Sequence, residues 1–477
     1  MYLFLCIILI VALIILVITI RTIRFKPKSI IGVYSESFAI DTDKAAASLS
    51  EMIKCKTVSN VDKINEDSRE FDRFRELLPS LFPRVYERCE NIEVSDRAIL
   101  IRCKGSTSEN PAVFMAHYDV VPAVEEDWRY PAFSGQIAEN SVWGRGALDT
   151  KSTLNAVMYA LEELMADGFV PNRDIYLAFG SDEEINGHGA SDIVDYFERN
   201  GIEPSFVLDE GGAVVRDIFP GVSKEAALVG IAEKGILNVE FCANSTGGHS
   251  STPPAQNPIG LLSKTCVKIL KKTFRMNISP AAMAMFDNLA PHSDLFYRIV
   301  FSNLWLFSPV LNYITKKSGG EMNALVRTTI AFTQMMGSRG MNVLPSEAKL
   351  IANIRINPGD TTETVIKHLE KCCSKDVSVK MLYGTDPSVI SDIETTAFSD
   401  IKKCIEQTWK GVIVAPYLMV GCSDSRHWGR ISNKVYRFSP IELIGDERGT
   451  IHAKNEHIPI PTIKKAVEFY FRILKLC

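Results

Sequence analysis

The 477-residue sequence predicts an α/β fold with an inserted second unit, preceded by one apolar helix of membrane length. Three observations predict it. Apolar runs end in acidic or histidine residues and give way to helical patterns. A block of alternating strand and helix patterns interrupts that series from about residue 233. Residues 1–20 carry no charged side chain. An unbroken apolar run reads as a strand buried on both faces, and open α/β sheets hold ligands at the carboxyl ends of their strands.

The length is too great for one ordinary core, so roughly two or three domains are expected. A net charge of −4 gives no electrostatic reason to expect nucleic acid as a partner. The eleven cysteines form no Cys-x-x-Cys pair or regular framework. They read as small buried hydrophobes, not as staples or zinc ligands.

Residues 1–20 are dominated by Leu, Ile and Val, and 20 residues of helix reach about 30 Å, the thickness of a bilayer core. A cleaved signal peptide would want a basic start, a shorter apolar core and a small-x-small exit. No Lys or Arg precedes this core, and Thr19-Ile20-Arg21-Thr22 is a poor exit, so an uncleaved single-pass anchor is expected. Arg21, Arg24, Lys26 and Lys28 follow the span. They favour a cytoplasmic domain by the positive-inside rule, and the unpatterned cysteines agree weakly. Asn244 and Asn277 each open an Asn-x-Ser/Thr match too common to outweigh this, and the side is left open. Residues 21–39 read as a linker, followed by helices ending near Ile53 and covering 68–81, and a short strand over 98–103.

Residues 113–116 run into His117-Tyr118-Asp119, and Val120-Val121-Pro122 should stop further strand pairing. Side chains two apart on a strand point the same way, which suits a metal-binding His and a carboxylate that orients it. Next, Gly144-Arg145-Gly146-Ala147-Leu148-Asp149 precedes an apolar helix over 154–166. Taken alone, Asp149 reads first as the cap of that helix. A strand over 174–179 exits into Asp182-Glu183-Glu184, where successive acids repel unless a cation compensates. Another, over 205–208, ends in Asp209-Glu210-Gly211-Gly212, and far downstream comes Thr450-Ile451-His452. His117, Asp149, Glu184, Asp209 and His452 together have the nitrogen and carboxylate donors that suit Zn²⁺. One bridging carboxylate plus two ligands per ion makes a two-metal hydrolytic site.

The ordered boxes Met115-Ala116-His117-Tyr118-Asp119, Gly144-Arg145-Gly146-Ala147-x-Asp149, Asp182-Glu183-Glu184, Asp209-Glu210-Gly211-Gly212 and Gly247-Gly248-His249-Ser250-Ser251 resemble the M20 metallopeptidase family. Within it, the resemblance is greatest to the carboxypeptidase S and N-acyl-amino-acid hydrolase branch. It covers about residues 40–477 and implies a mixed-sheet, zinc-exopeptidase-type catalytic domain with an inserted two-layer α/β lid. By the resemblance, His117 and Asp209 hold one ion, Glu184 and His452 the other, and Asp149 bridges. Asp119 stands behind His117, Glu183 is the general base, and the Asp149–Thr150 peptide is cis. The ions implied are two Zn²⁺, with Co²⁺ or Mn²⁺ as substitutes. Some members carry Glu where Asp209 stands, so substrate class is not set by the metal residues.

The expected division is an anchor over 1–20, a linker over 21–39, catalytic portions over 40–232 and 385–477, and a lid or dimerisation domain over 233–384. Chain continuity supports the last as an excursion, because His452 must return to the first portion's site. Within it, patterns run strand 237–243, helix 259–272, strand 349–357, helix 361–373 and strand 377–383. The resemblance makes His249 an oxyanion group, often acting across a homodimer, and makes Asn342 and Arg355 substrate-binding. A planar Arg fork reads a free carboxylate bidentately. Residues 281–336 depart from compact members, and 299–314 is notably apolar. Added helical core is the plain explanation; a greasy substrate channel or membrane-contacting surface is the sharper one.

The function expected is a membrane-anchored di-metal hydrolase of an amide bond beside a free carboxylate. Its substrate would be a peptide or an N-acyl amino acid. The rival is a catalytically inactive binding module on the same tethered fold.

Overall fold

The computed structural model describes residues 1–27 and 36–477, so Lys28 and the middle of the expected linker, 28–35, lie outside the described residues. The first helix, Tyr2–Arg24, runs four residues beyond the expected span. Arg21 and Arg24 in its last turn complement the negative end of the helix dipole.

The main sheet has eight strands. Their spatial order is Glu90–Ile92, Ile99–Cys103, Ile175–Gly180, Ala112–His117, Phe206–Val215, Val435–Leu443, Ala226–Glu233 and Ile413–Met419. The strand ending in His117 is central and buried throughout, with parallel neighbours on both sides. Alternation assigns its two faces. Ala112, Phe114 and Ala116 join one core with helices Thr42–Ile53, Lys151–Ala166 and Ile460–Leu476. Val113 and Met115 join a second core with helix Gly189–Arg199 and Trp428. His117 pairs in register with Gly180, so two of the predicted exits lie side by side.

Two local expectations change. Pairing within the sheet stops at His117, but Val120 still makes an isolated parallel bridge with Val58. The strand expected over 205–208 continues to Val215, so Asp209-Glu210-Gly211-Gly212 lies within a strand and not at its exit. Glycine makes this possible: a Cβ on Gly212 would stand 1.7 Å from the Leu228 carbonyl oxygen. The pairing with Val435–Leu443 shifts register there.

A separate four-stranded antiparallel sheet follows, in the order Thr329–Met336, Glu347–Ile356, Gly235–Asn244, Val377–Thr385. Helices Pro258–Lys271 and Thr362–Cys372 pack on the face bearing Leu237, Val239 and Phe241. Each expected element is present, and strand Thr329–Met336 is one the sequence patterns did not yield. The 233–384 excursion is also interrupted. Met285, Phe286, Leu289, Phe301 and Leu325 are buried in the main-sheet core, so the helices of 280–325 return to the first unit.

Two small ribbons position loops. Gly248–His249 pairs with Val343–Leu344. His457–Pro459 pairs with Ser141–Trp143, which carries the chain's last portion back beside the Gly144–Asp149 loop.

Candidate metal centre

His117 leaves its strand with Nδ1 3.0 Å from the Asp119 carbonyl oxygen. A carbonyl can only accept, so Nδ1 carries the proton and Nε2 is the free donor atom. Nε2 faces Asp149 Oδ1 at 3.0 Å and Glu210 Oε1 at 3.3 Å. Nε2 among two carboxylates calls for positive charge at that point, supplied either by a second proton on the ring or by a metal ion that the lone pair would ligate.

The Asp119 carboxylate is wholly buried and acts as a clamp. It accepts from Ser59 Oγ at 2.7 Å and from the backbone N–H groups of Glu183 and Glu184, each at 3.2 Å. It thereby docks the turn Glu183–Ile185 against His117. Asp149 spans the cluster: Oδ1 meets His117, and Oδ2 lies 3.0 Å from His452 Nε2. Its side chain does not cap the following helix; Thr150 occupies that position and makes no capping bond. The Asp149–Thr150 peptide is cis, as the resemblance implies. Glu184 Oε1 lies 3.2 Å from the same His452 Nε2, so His452 faces two carboxylates.

Asp209 is not part of this constellation. It has the parity of Val207, which packs in the core containing Trp428, and its Oδ2 accepts from Ser425 N at 3.0 Å. Glu210, one residue on, projects to the other side and reaches His117. Adjacent strand residues take opposite faces, so only one of this pair can join the cluster.

Electrostatics agree with a site short of positive charge. Burial, reinforced by Asp149 and Asp209, raises the Glu210 carboxyl to about 7 despite His117 beside it. Burial likewise lifts Glu183 well above the carboxylate range, with Asp424, Glu210 and Glu184 adding repulsion. Hydrogen bonds to Asp149 and Glu184 hold His452 up at about 10. Burial would lower His117, but the Glu210 charge and its carboxylate contacts leave it raised. Asp149 moves the other way: burial would raise it, but the two histidines hold it below the usual carboxylate range. Ligand atoms of His117, Asp149 and Glu184 lie within 4.8 Å of one another, as do those of His117, Glu183 and Glu210. The donor set therefore fits two divalent ions.

Several supporting residues were not singled out from sequence. Glu456 is fully buried and accepts from the N–H groups of Gly146 and Leu148 at 3.0 and 2.8 Å, while Arg145 pairs with its other oxygen at 2.5 Å. That cradle shapes the loop presenting Asp149. Asp182, the first of the three acids, points away and accepts from His188 N and Gly189 N. A count of strand parity from Val207 is the one signal that could have exchanged Asp209 for Glu210. Glu456 carries no such signal, because its partners lie some 310 residues away.

Arg355 projects from strand Glu347–Ile356 toward the main unit, and its Nη1 donates to Cys422 Sγ at 3.4 Å, in the loop that continues to Asp424. Lys234 stands nearby, pushed down to about 7 by burial and then by the Arg355 charge. His249 and Asn342 meet on the small ribbon, where Ser250 N donates to the Asn342 carbonyl at 3.0 Å. His249 is exposed and bonds Ser251; among the described residues it makes no hydrogen bond or ion pair to the cluster.

The fold and this cluster define a hydrolase of the metallopeptidase type. The Peptidase family M20/M25/M40 matches residues 113–476, and the chain belongs to that family. The chain is 34% identical over 431 residues to the N-fatty-acyl-amino acid synthase/hydrolase PM20D1 of Xenopus tropicalis, covering 89% of this chain and 84% of that protein. It is 26% identical over 459 residues to carboxypeptidase S of Saccharomyces cerevisiae, covering 85% and 78%. Its fold matches an M20 family metallo-carboxypeptidase of Sulfolobus solfataricus with a TM-score of 0.65 at 18% identity, covering 91% of this chain and 98% of that one.

Proposed function

We propose that the protein is a membrane-anchored, two-zinc amidohydrolase that cleaves an amide bond beside a free carboxylate, in a peptide or an N-acyl amino acid. The observation that carries it is the His117–Asp149–His452 bridge with Glu183 beside it. His117 and Glu210 would hold one ion, Glu184 and His452 the other, and Asp149 both. Bound there, the ions would supply Lewis acidity, and positive charge in place of the protons the two histidines carry without them.

The remaining roles fall to side chains. Glu183, raised by burial, takes a proton from the attacking water and returns it to the leaving nitrogen. Asp119 positions both Glu183 and His117 through the bonds described above. The four-stranded sheet acts as a lid, from which Arg355 reads the substrate carboxylate. His249 and Asn342 are substrate groups supplied from the exposed ribbon by a second copy of the chain; His249 stabilises the oxyanion. The helix Tyr2–Arg24 is retained as the anchor. Thr22 at its end is buried and bonds Ser302, contacts a removable leader would not need.

The test is release of free amino acid from N-oleoyl-phenylalanine and from a blocked dipeptide by the zinc-loaded full chain. Glu183→Gln should retain both metals and lose about 10²–10⁴-fold in kcat. Near-wild-type turnover in that variant would overturn the assignment. Metal retention with no turnover by the wild type on either substrate would favour the inactive module.

A further inference from the structure

We propose that helices Leu295–Ser302 and Leu304–Ser318 form a second membrane contact, seated at headgroup depth beside the helix Tyr2–Arg24. It rests on reading that first helix as an anchor. The surface itself is a separate observation. Phe296 is 68% exposed, Tyr313 67% and Trp305 53%, with Leu295, Val310 and Ile314 exposed beside them. On the longer helix, Val310, Tyr313 and Ile314 recur at helical spacing, while Leu311 and Thr315 turn inward and are buried. These helices are therefore core on one side only, where Phe301 is buried, and the apolar side carrying Phe296, Trp305 and Tyr313 faces outward.

What places it at a bilayer is its attachment. Arg21 Nε donates to the Ser302 carbonyl at 2.8 Å, Thr22 Oγ1 meets Ser302 Oγ at 3.1 Å, and Asn303 Nδ2 donates to Thr22 Oγ1 at 3.4 Å. Residues 302 and 303 are the junction between the two helices. Twenty residues of helix cross about 30 Å of hydrocarbon, so Arg21 and Thr22 fall at the headgroup boundary, and the junction is held at that depth. Trp and Tyr are the aromatic residues favoured there, and the exposed Lys316 and Lys317 at the end of the longer helix suit anionic headgroups. An amphipathic helix lying in the interface has these parts. A bilayer is thus the occupant that both the anchor's position and the side-chain chemistry call for.

Trp305 supplies its own probe. Trp143, Trp409 and Trp428 are buried and Trp128 is half-buried, so the difference between wild type and Trp305→Phe isolates the exposed indole. The full chain is reconstituted in phosphatidylcholine/phosphatidylglycerol vesicles whose lipids are brominated near the headgroup end of the acyl chains. The Trp305 difference emission should fall about twofold or more relative to unbrominated vesicles, and aqueous iodide should quench it little. Iodide quenching with no bromine effect would overturn the proposal. So would protection from both quenchers, which would point to a second protein copy on this face. Extraction by alkaline carbonate reads the anchor independently. Carbonate release with Trp305 still quenched by bromine would remove the anchor and leave this surface. Carbonate retention with Trp305 unquenched would do the reverse.

Discussion

The cluster at the main-sheet edge and the Gly248–His249 ribbon both carry residues that motif comparison marks as functional, and they are built in opposite ways. In the cluster, the groups around His117 and Asp149 are braced by others: Asp119 by Ser59, the Asp149 loop by Glu456, Glu183 and Glu184 by Asp119. On the ribbon, His249 is exposed, and among the described residues its ring hydrogen-bonds only the hydroxyl and backbone N–H of Ser251. Holding like charges together requires a surrounding shell that fixes them before an ion arrives. A group that only meets substrate can be left on the surface and brought in by closure or by another copy.

The largest effect expected within this comparison is at strand Phe206–Val215. If Glu210 is the ligand, Glu210→Ala should lose about one ion per chain by elemental analysis, with activity falling about 100-fold or more. Asp209→Ala should keep both ions, because Asp209 bonds Ser425 N and not the cluster. Loss of metal from Asp209→Ala alone would restore the assignment first read from the motif.

Arg355 lies between the two regions, on the second sheet but bonded to the main unit. Truncating one partner of a buried charge pair typically costs about 2–5 kcal/mol. Arg355→Ala should therefore lower kcat/KM by roughly 30-fold or more on a free-acid substrate, and Lys should not rescue it. An amidated substrate should be affected far less. Equal losses on both would make Arg355 structural.

A smaller effect concerns protons. In the metal-free protein His452 sits at about 10, above its ordinary 6.5, with the Asp149 and Glu184 hydrogen bonds the leading cause. A raised folded value means its contribution to stability is complete below the ordinary value and is lost as pH rises through about 10. At neutral pH the histidine is protonated, so zinc must displace that proton on binding. Calorimetric titration with zinc near pH 7.5 in buffers of different ionisation enthalpy should report net proton release. An enthalpy independent of buffer would mean that the ions do not engage His452.

The smallest effect on stability belongs to the ribbon. His249→Ala should leave thermal stability nearly unchanged, since exposed positions usually cost within about 0.5 kcal/mol. Yet it should lower kcat by about 10²-fold if it stabilises an oxyanion. A large drop in Tm with unchanged kcat would sink the contrast between the two regions.

Local pattern carried much of the architecture. The apolar run, the strand into His117, the helix Lys151–Ala166 and the alternation of strand Gly235–Asn244 all follow from side-chain period, which acts over a few residues. The order of the motif boxes was sufficient to place the chain in its family. Other features needed the tertiary structure, because long-range pairing decides them. Whether Asp209 or Glu210 faces His117 depends on parity along a strand whose glycines pass Leu228 and Arg437. Glu456 gains its meaning only when His457–Pro459 pairs with Ser141–Trp143. The return of 280–325 to the main core follows the same logic. Met285 and Phe286 are apolar in any reading, and only packing against the main sheet separates them from Trp305 and Tyr313, which stay outside. Sequence period says which side of an element is apolar; the assembled sheet says what that side meets.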